Sequence, residues 1–307
     1  MVTFTQILCP TDLSDAAVPA LAHAASLARW YEATLTVLHV VPTFDAIHVV
    51  HGRVGSSREI VQPPPREDVV IEMERVIPDA LLAGVTARLV AEAGDASAVI
   101  LEQSLTIPAD LLVMGTHGRS GFDRLLFGSV TEKVMRKAAC PVLTVPPHAP
   151  ASPAHEDMAY RRIVCAMDFS PASLQALGFA LDLARQANGT VTVLHVLEWV
   201  AEDDPTSPTA LNLQAYRAHL IEQGNHRLRE VLDPEPPTWC EIEPLVTTGR
   251  IHREVLRVAE QRGADLIVMG VRGRGALGLA LFGSTAQQVV RTAHCPVLLA
   301  HGVGEEA

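Results

Sequence analysis

No apolar run in these 307 residues reaches the roughly 18 needed to cross a bilayer, so a membrane-spanning helix is not expected. Charge is sparse, at 19% of residues, and its balance is −11, which argues against general affinity for nucleic acid or for an anionic membrane surface. The phosphate loop Gly-x4-Gly-Lys-Ser/Thr is missing, which excludes that class of nucleotide site. The first residues, Met1 to Gln6, lack the charged region and apolar core of a secretory signal, and the expectation is a cytoplasmic protein. Cysteines number five and none has metal-ligand spacing, so they read as small buried hydrophobes in a reducing compartment. Cys240 is the odd one and the best candidate for oxidation.

What the chain does have is a glycine pattern that occurs twice, 155 residues apart. Gly115-Thr-His-Gly118 is followed after nine residues by Gly128-Ser129, and Gly270-Val-Arg-Gly273 after nine by Gly283-Ser284. Other landmarks repeat at nearly the same offset. Ile7-Leu-Cys-Pro-Thr-Asp12-Leu-Ser14 matches Ile163-Val-Cys-Ala-Met-Asp168-Phe-Ser170, Val37-Leu-His39-Val40 matches Val193-Leu-His195-Val196, and Gly94 matches Gly249. Cys140-Pro141 matches Cys295-Pro296. The offset drops from 156 to 155 between His39 and Gly94, which places a length change there. An internal duplication follows, with domains at 1–147 and 158–303 and a proline-rich linker around Pro146 to Pro153.

Continuous apolar runs such as Thr34–Val41 and Ala109–Met114 suit strands buried on both faces of a parallel sheet. Between them lie helical stretches. Ser170 reads as an N-cap with Pro171 at the first helical position. Leu174, Leu177, Leu181 and Ala184 share one face, as do Val18, Leu21, Ala25 and Ala28 in the first repeat. Each repeat reads strand, helix, strand, long loop and helix, strand, helix, strand, glycine loop, helix, strand. That is a doubly wound α/β domain with five parallel strands. Pro244 and an alternating pattern mark Cys240–Val246 as an edge strand.

In such folds ligands bind beyond the C-terminal strand ends, where Asp12, Val40 and Gly115 should converge. Gly115 and Gly118 allow a close backbone approach, Gly128 opens a helix start, and Ser129 adds a hydroxyl. Backbone N–H groups and the helix dipole there favour an anion, so each repeat presents a phosphate site. A carboxylate such as Asp12 can accept from ribose hydroxyls. His39 and His195, inside strands, read as core histidines with partners.

Together these motifs resemble the universal stress protein family in its tandem form. The resemblance covers nearly the whole chain. It implies two α/β domains of strand order 3-2-1-4-5, joined through their last strands as an internal pseudo-dimer, with a further homodimer left open. It also implies ATP, with Mg²⁺ held by its phosphates. On the matching positions it implies a nucleotide site in the first repeat from Pro10, Thr11, Asp12, Val40, Met114, Gly115, Gly118, Arg119, Gly128, Ser129, Val130 and Thr131. The second would use Ala166, Asp168, Val196, Met269, Gly270, Gly273, Arg274, Gly283, Ser284 and Thr285. The two are not identical: Pro10-Thr11 becomes Ala166-Met167, Thr131 becomes Ala286, and His117 becomes Arg272. The expected role is regulation or stress response through a bound adenine nucleotide, with at most slow hydrolysis. Two alternatives stand beside it, an interaction module with vestigial pockets and an adenylating enzyme on a related fold. Against the enzyme, the His-x-Gly-His and Ser-Gly-Gly-x-Asp-Ser loops of such enzymes do not follow either first strand.

Overall fold

The computed structural model describes residues 3–43, 45–50, 53–60, 63–118, 128–149, 160–198, 210–232, 240–271 and 283–301. In the first repeat, β1 (Gln6–Thr11), β2 (Thr34–Val41), β5 (Thr86–Ala93), β6 (Leu111–Gly115) and β7 (Val142–Val145) form one half of a sheet. In the second, β8 (Arg162–Ala166), β9 (Thr190–Leu197), β10 (Glu241–Thr248), β11 (Leu266–Gly270) and β12 (Val297–Ala300) form the other. The ten strands run in the order β10-β9-β8-β11-β12-β7-β6-β1-β2-β5. Counted within each repeat, that is the expected order 3-2-1-4-5, all parallel. The sole antiparallel step of this sheet is β12 against β7, where Leu143 lies opposite Leu298. These two leucines occupy the same place in their repeats, so a pseudo-two-fold axis passes between them.

Helices cover both faces, which is why the strands carry apolar side chains in unbroken runs. On one face lie α1 (Val18–Tyr31), α2 (Arg66–Val76), α6 (Pro171–Ala187) and α7 (Ala210–Val231), burying Leu21, Leu27, Met73, Leu177, Leu183 and Leu228. On the other lie α4 (Ala96–Thr106), α5 (Ser129–Lys137), α8 (Ile251–Gln261) and α9 (Ser284–Thr292), burying Ile100, Val134, Val255 and Val289. A short α3 (Asp79–Leu82) is held to the end of α1 by Arg29, whose guanidinium donates to the Leu81 and Ala83 carbonyls.

Ser170 caps α6 as expected, its hydroxyl accepting from the Ser173 N–H at 3.2 Å, with Pro171 next. Pro19 sits in the first turn of α1, where its missing N–H would be unpaired in any case. Two details differ from the sequence reading. Val18 and Leu174 are 40% and 42% exposed. They are in phase with the buried face but stand in the first turn of their helices. The stretch expected as a long loop contains an antiparallel hairpin, β3 (Asp45–Val50) with β4 (Arg53–Ile60), which forms a separate two-stranded sheet. In the second repeat α7 stands in the place of α2, and most residues equivalent to the hairpin lie outside the described ones.

Both repeats fasten their first strand in the same way. The Asp110 carboxylate, at the start of β6, accepts from the Thr5 and Gln6 N–H groups (2.7 and 2.9 Å) and from the Thr5 hydroxyl (2.6 Å). Its counterpart Asp265 accepts from the Arg162 N–H at 2.9 Å. Partial burial pushes both carboxyls up. At Asp110 the three hydrogen bonds outweigh it and the pKa ends below 3.8, whereas at Asp265 burial wins and the pKa ends above 3.8. All five cysteines are free and buried. Burial pushes Cys9, Cys165 and Cys295 to about 12 and Cys140 to about 11. Burial raises Cys240 as well, but less than the other four, which leaves it the thiol best placed for oxidation among five that are all buried.

Two outcomes are expected. Asp110→Asn should destabilise the fold by about 1 kcal/mol at pH 7 in urea unfolding, the value being held down by the carboxylate's contact with water. Because the folded pKa is depressed, this contribution is present above the unfolded value of about 3.9 and lost as pH falls through the folded one, so wild type and variant should converge as the pH is lowered below it. Iodoacetamide at pH 8 should label none of the five thiols in the native protein within the time that labels all five in urea, as read by intact mass.

Candidate functional site

Each repeat ends its first strand in the same strained turn. Leu13 and Phe169 have φ of +61° and +63°, a region that costs a residue with a Cβ about 1–2 kcal/mol. What holds them there is the preceding aspartate. Asp12 Oδ1 accepts from the Ser14 N–H at 3.0 Å and from its hydroxyl at 2.6 Å, and Asp168 does the same with Ser170 at the same two distances. Leu13 and Phe169 pack against the core on the α1 and α6 face. The adjoining second strand supports the turn. The His39 ring donates through Nδ1 to the Thr11 carbonyl and His195 to the Met167 carbonyl, both at 2.8 Å. These are the partners expected of core histidines.

The glycine turn meets that aspartate. A Cβ on Gly118 would lie 2.9 Å from Asp12 Oδ2, so the backbone after β6 passes directly over the carboxylate. Residues more than 100 positions apart are thereby brought together at the C-terminal ends of β1 and β6. Gly128 then opens α5. Its N–H donates to the Thr116 carbonyl at 3.1 Å, and the first helical bond runs from Glu132 N–H to Gly128 O at 3.0 Å. The helix therefore supplies no acceptor for the N–H groups of Ser129, Val130 and Thr131. In the second repeat Gly283 N–H donates to Val271 O at 3.1 Å and Gln287 N–H to Gly283 O at 3.0 Å, which leaves Ser284, Thr285 and Ala286 in the same condition. A Cβ on Gly128 would press on Thr131 Oγ1 and Thr116 O at 3.3 and 3.4 Å, which explains glycine at this position.

The remaining predicted residues line the same region. Val40 and Met114 belong to the core cluster beneath α4 and α5, with Val130 at its edge. Val196 and Met269 occupy that place beneath α8 and α9, with Ala166 at the edge. Pro10 and Thr11 are half-buried at the end of β1. The Thr131 hydroxyl donates to the Gly115 carbonyl at 2.9 Å, tying α5 to β6; Ala286 has no hydroxyl to do so. Arg119, Gly273 and Arg274 lie outside the described residues. Among the described residues no group of three or more His, Cys, Asp or Glu side chains is placed to hold a metal ion. The sequence reading did not single out Ser14 and Ser170 as the groups that fix the aspartates; the Asp-x-Ser spacing in both repeats carried that signal.

A family model described as "Universal stress protein family" matches residues 3–146 and again 159–301. The chain belongs to the universal stress protein family. A universal stress protein of Mycolicibacterium smegmatis is 28% identical over 298 residues, covering 93% of this chain and 92% of its own. One from Mycobacterium tuberculosis is 27% identical over 280 residues, covering 83% and 85%. Among solved structures, a universal stress protein from Archaeoglobus fulgidus superposes with a TM-score of 0.62 at 23% identity, over 96% of this chain and 98% of that one. A functionally unknown protein from Pseudomonas aeruginosa superposes at 0.65 and 18%, over 98% and 94%. At these identities the superpositions establish the shared fold.

Within this universal stress protein the two sites are built differently. In the second repeat Gly270 is pressed against the start of α6, where a Cβ would lie 2.9 Å from the Ala172 Cβ and 3.0 Å from the Ser173 N. Phe169 lies 4.7 Å from the His195 ring, and the Arg227 guanidinium of α7 sits 3.9 Å from its centroid. The first repeat has Leu13 in place of Phe169 and Glu72 in place of Arg227. Asp12→Ala and Asp168→Ala should each destabilise the protein by about 1–3 kcal/mol in urea unfolding, because the left-handed residue loses the two hydrogen bonds that hold it. Asp12→Asn keeps an acceptor and should retain most of the stability.

Proposed function

We propose that this chain holds one adenine nucleotide, ATP in the first instance, in each repeat, and that occupancy serves a regulatory task in the stress response. Membership of the family supports the stress-response role. The observation that carries the nucleotide reading is the pairing, in both repeats, of a glycine-capped helix start with an aspartate at the end of the first strand. Three N–H groups without helical acceptors and the positive end of the helix dipole suit a polyphosphate. The hydroxyls of Ser129, Ser284 and Thr285 add donors. Asp12 and Asp168 are fixed through Oδ1, and in this reading they accept from ribose hydroxyls. Val40 with Met114, and Val196 with Met269, provide the apolar wall for the base. Gly115, Gly118 and Arg119, and Gly270, Gly273 and Arg274, complete the two loops.

Bound ATP supplies a triphosphate and the Mg²⁺ that travels with it, and the metal is held chiefly by the phosphates. The residues of the chain bind and orient. None named here is assigned as a general base, so turnover is slow and the nucleotide acts by being present.

Freshly purified protein, denatured and analysed by mass spectrometry, should release about two ATP per chain. Gly128→Trp should lower the count by one, and Gly283→Trp by the other one. No released nucleotide, together with no heat of ATP binding in the presence of Mg²⁺, would overturn the proposal and favour a scaffold acting through its surface.

A further inference from the structure

The pseudo-two-fold axis between β7 and β12 relates contacts that would be identical pairs in a true homodimer, and here they are not. Phe4, just before β1, and Tyr160, just before β8, occupy the same place in their repeats. So do His23 of α1 and Phe179 of α6. Across the axis Phe4 stacks on Phe179, with ring centroids 6.4 Å apart and planes 10° apart. The symmetry-related contact is Tyr160 on His23, stacked at 5.9 Å and 4°, with the tyrosine hydroxyl 2.9 Å from His23 Nδ1. Tyr160 is 1% exposed and His23 4%. One contact is therefore wholly apolar and its mate is a buried polar pair.

On the axis itself Trp30 meets its own counterpart, Gln186, and the indole N–H donates to the amide oxygen at 2.7 Å. Between the strands, the Thr144 hydroxyl donates to the Val297 carbonyl at 3.1 Å, while the position equivalent to Thr144 in the second repeat is Leu299.

We propose that these unlike pairs are a recognition key, which makes each repeat select the other repeat, and not a second copy of itself, as its partner across the last strand. Two first repeats would set Phe4 against His23 twice, so that neither histidine meets the tyrosine hydroxyl. Two second repeats would set Tyr160 against Phe179 twice and bury two phenol groups where no imidazole faces them. They would also set Gln186 against Gln186. A buried polar group that loses its partner costs about 1–3 kcal/mol, and each like pairing incurs that cost twice. Specificity here arises from the penalty on the wrong pairing as well as from the gain in the right one. The chain thus closes on itself, and neighbouring molecules are discouraged from exchanging halves.

The full chain carrying a protease site between residues 150 and 158 provides the test. After cleavage, a cycle of mild urea dissociation and dialysis, followed by native mass spectrometry, should return only the pairing of one first half with one second half. In the same experiment His23→Phe/Tyr160→Phe, which makes both contacts apolar and alike, should return like pairs as well. Like pairs from the wild type, or no like pairs from the double variant, would overturn the key. Uncleaved chains give an independent reading that needs no reassociation. His23→Phe alone and Tyr160→Phe alone should each lower the melting temperature, and the double variant should lose clearly less than the sum of the two. Strictly additive losses would show that the pair is not coupled and would also sink the proposal.

Discussion

The antiparallel pairing of β7 with β12 is the constraint on which the rest of this molecule rests. Without it each repeat would be a five-stranded sheet ending in a strand with one bare edge, and its fifth strand is only four residues long. With it, the two sheets become one of ten strands, and the apolar ends of α1 and α6 gain something to pack against. The aromatic contacts around the axis follow from that geometry. The two candidate sites follow too, because every strand in a half is parallel and all five C-terminal ends open on the same side.

Within each half, the turn after the first strand does the equivalent work on a smaller scale. A left-handed Leu13 sets Asp12 against Gly118, and in both repeats the left-handed residue, Leu13 or Phe169, packs its own side chain on the core. Hydrogen bonds from the serine two residues on make that conformation tolerable, and a strand histidine pins the carbonyl behind it. The carboxylate is thus oriented before any ligand arrives. The glycines answer a different need. Gly118 must clear a carboxylate and Gly270 must clear the backbone of α6. In both repeats the pattern is explained by what a Cβ would strike as much as by what a phosphate would touch.

Most of this architecture could be read from the chain. Unbroken apolar runs show strands covered on both sides, and a duplicated motif shows two of everything. The landmarks that repeat also fall where the structure brings them together: Asp12 beside Gly118, and Gly128 at the start of a helix. What escaped the sequence reading depended on context that a linear pattern does not hold. Asp45–Ile60 has the length of a loop between two larger elements, and its hairpin pairs only within itself. Val18 and Leu174 obey the helical period but sit at a helix start, and period alone does not report where a helix begins to be covered. Unlike contacts at a pseudo-symmetric axis become visible only when the two halves are seen facing one another.

Joining the halves through their fifth strands moves the open edges of the sheet to β5 and β10, as far apart as the sheet allows. The two ends are not equally guarded. Pro244 deletes a donor from β10, and Glu243 beside it is tied up by Arg262. β5 has no proline, although its Glu92 is likewise paired, with Arg66 of α2. A molecule that closes its centre so selectively is therefore polar in its capacity for stray growth, because an intruding strand finds a more regular ladder of backbone groups on the first repeat than on the second.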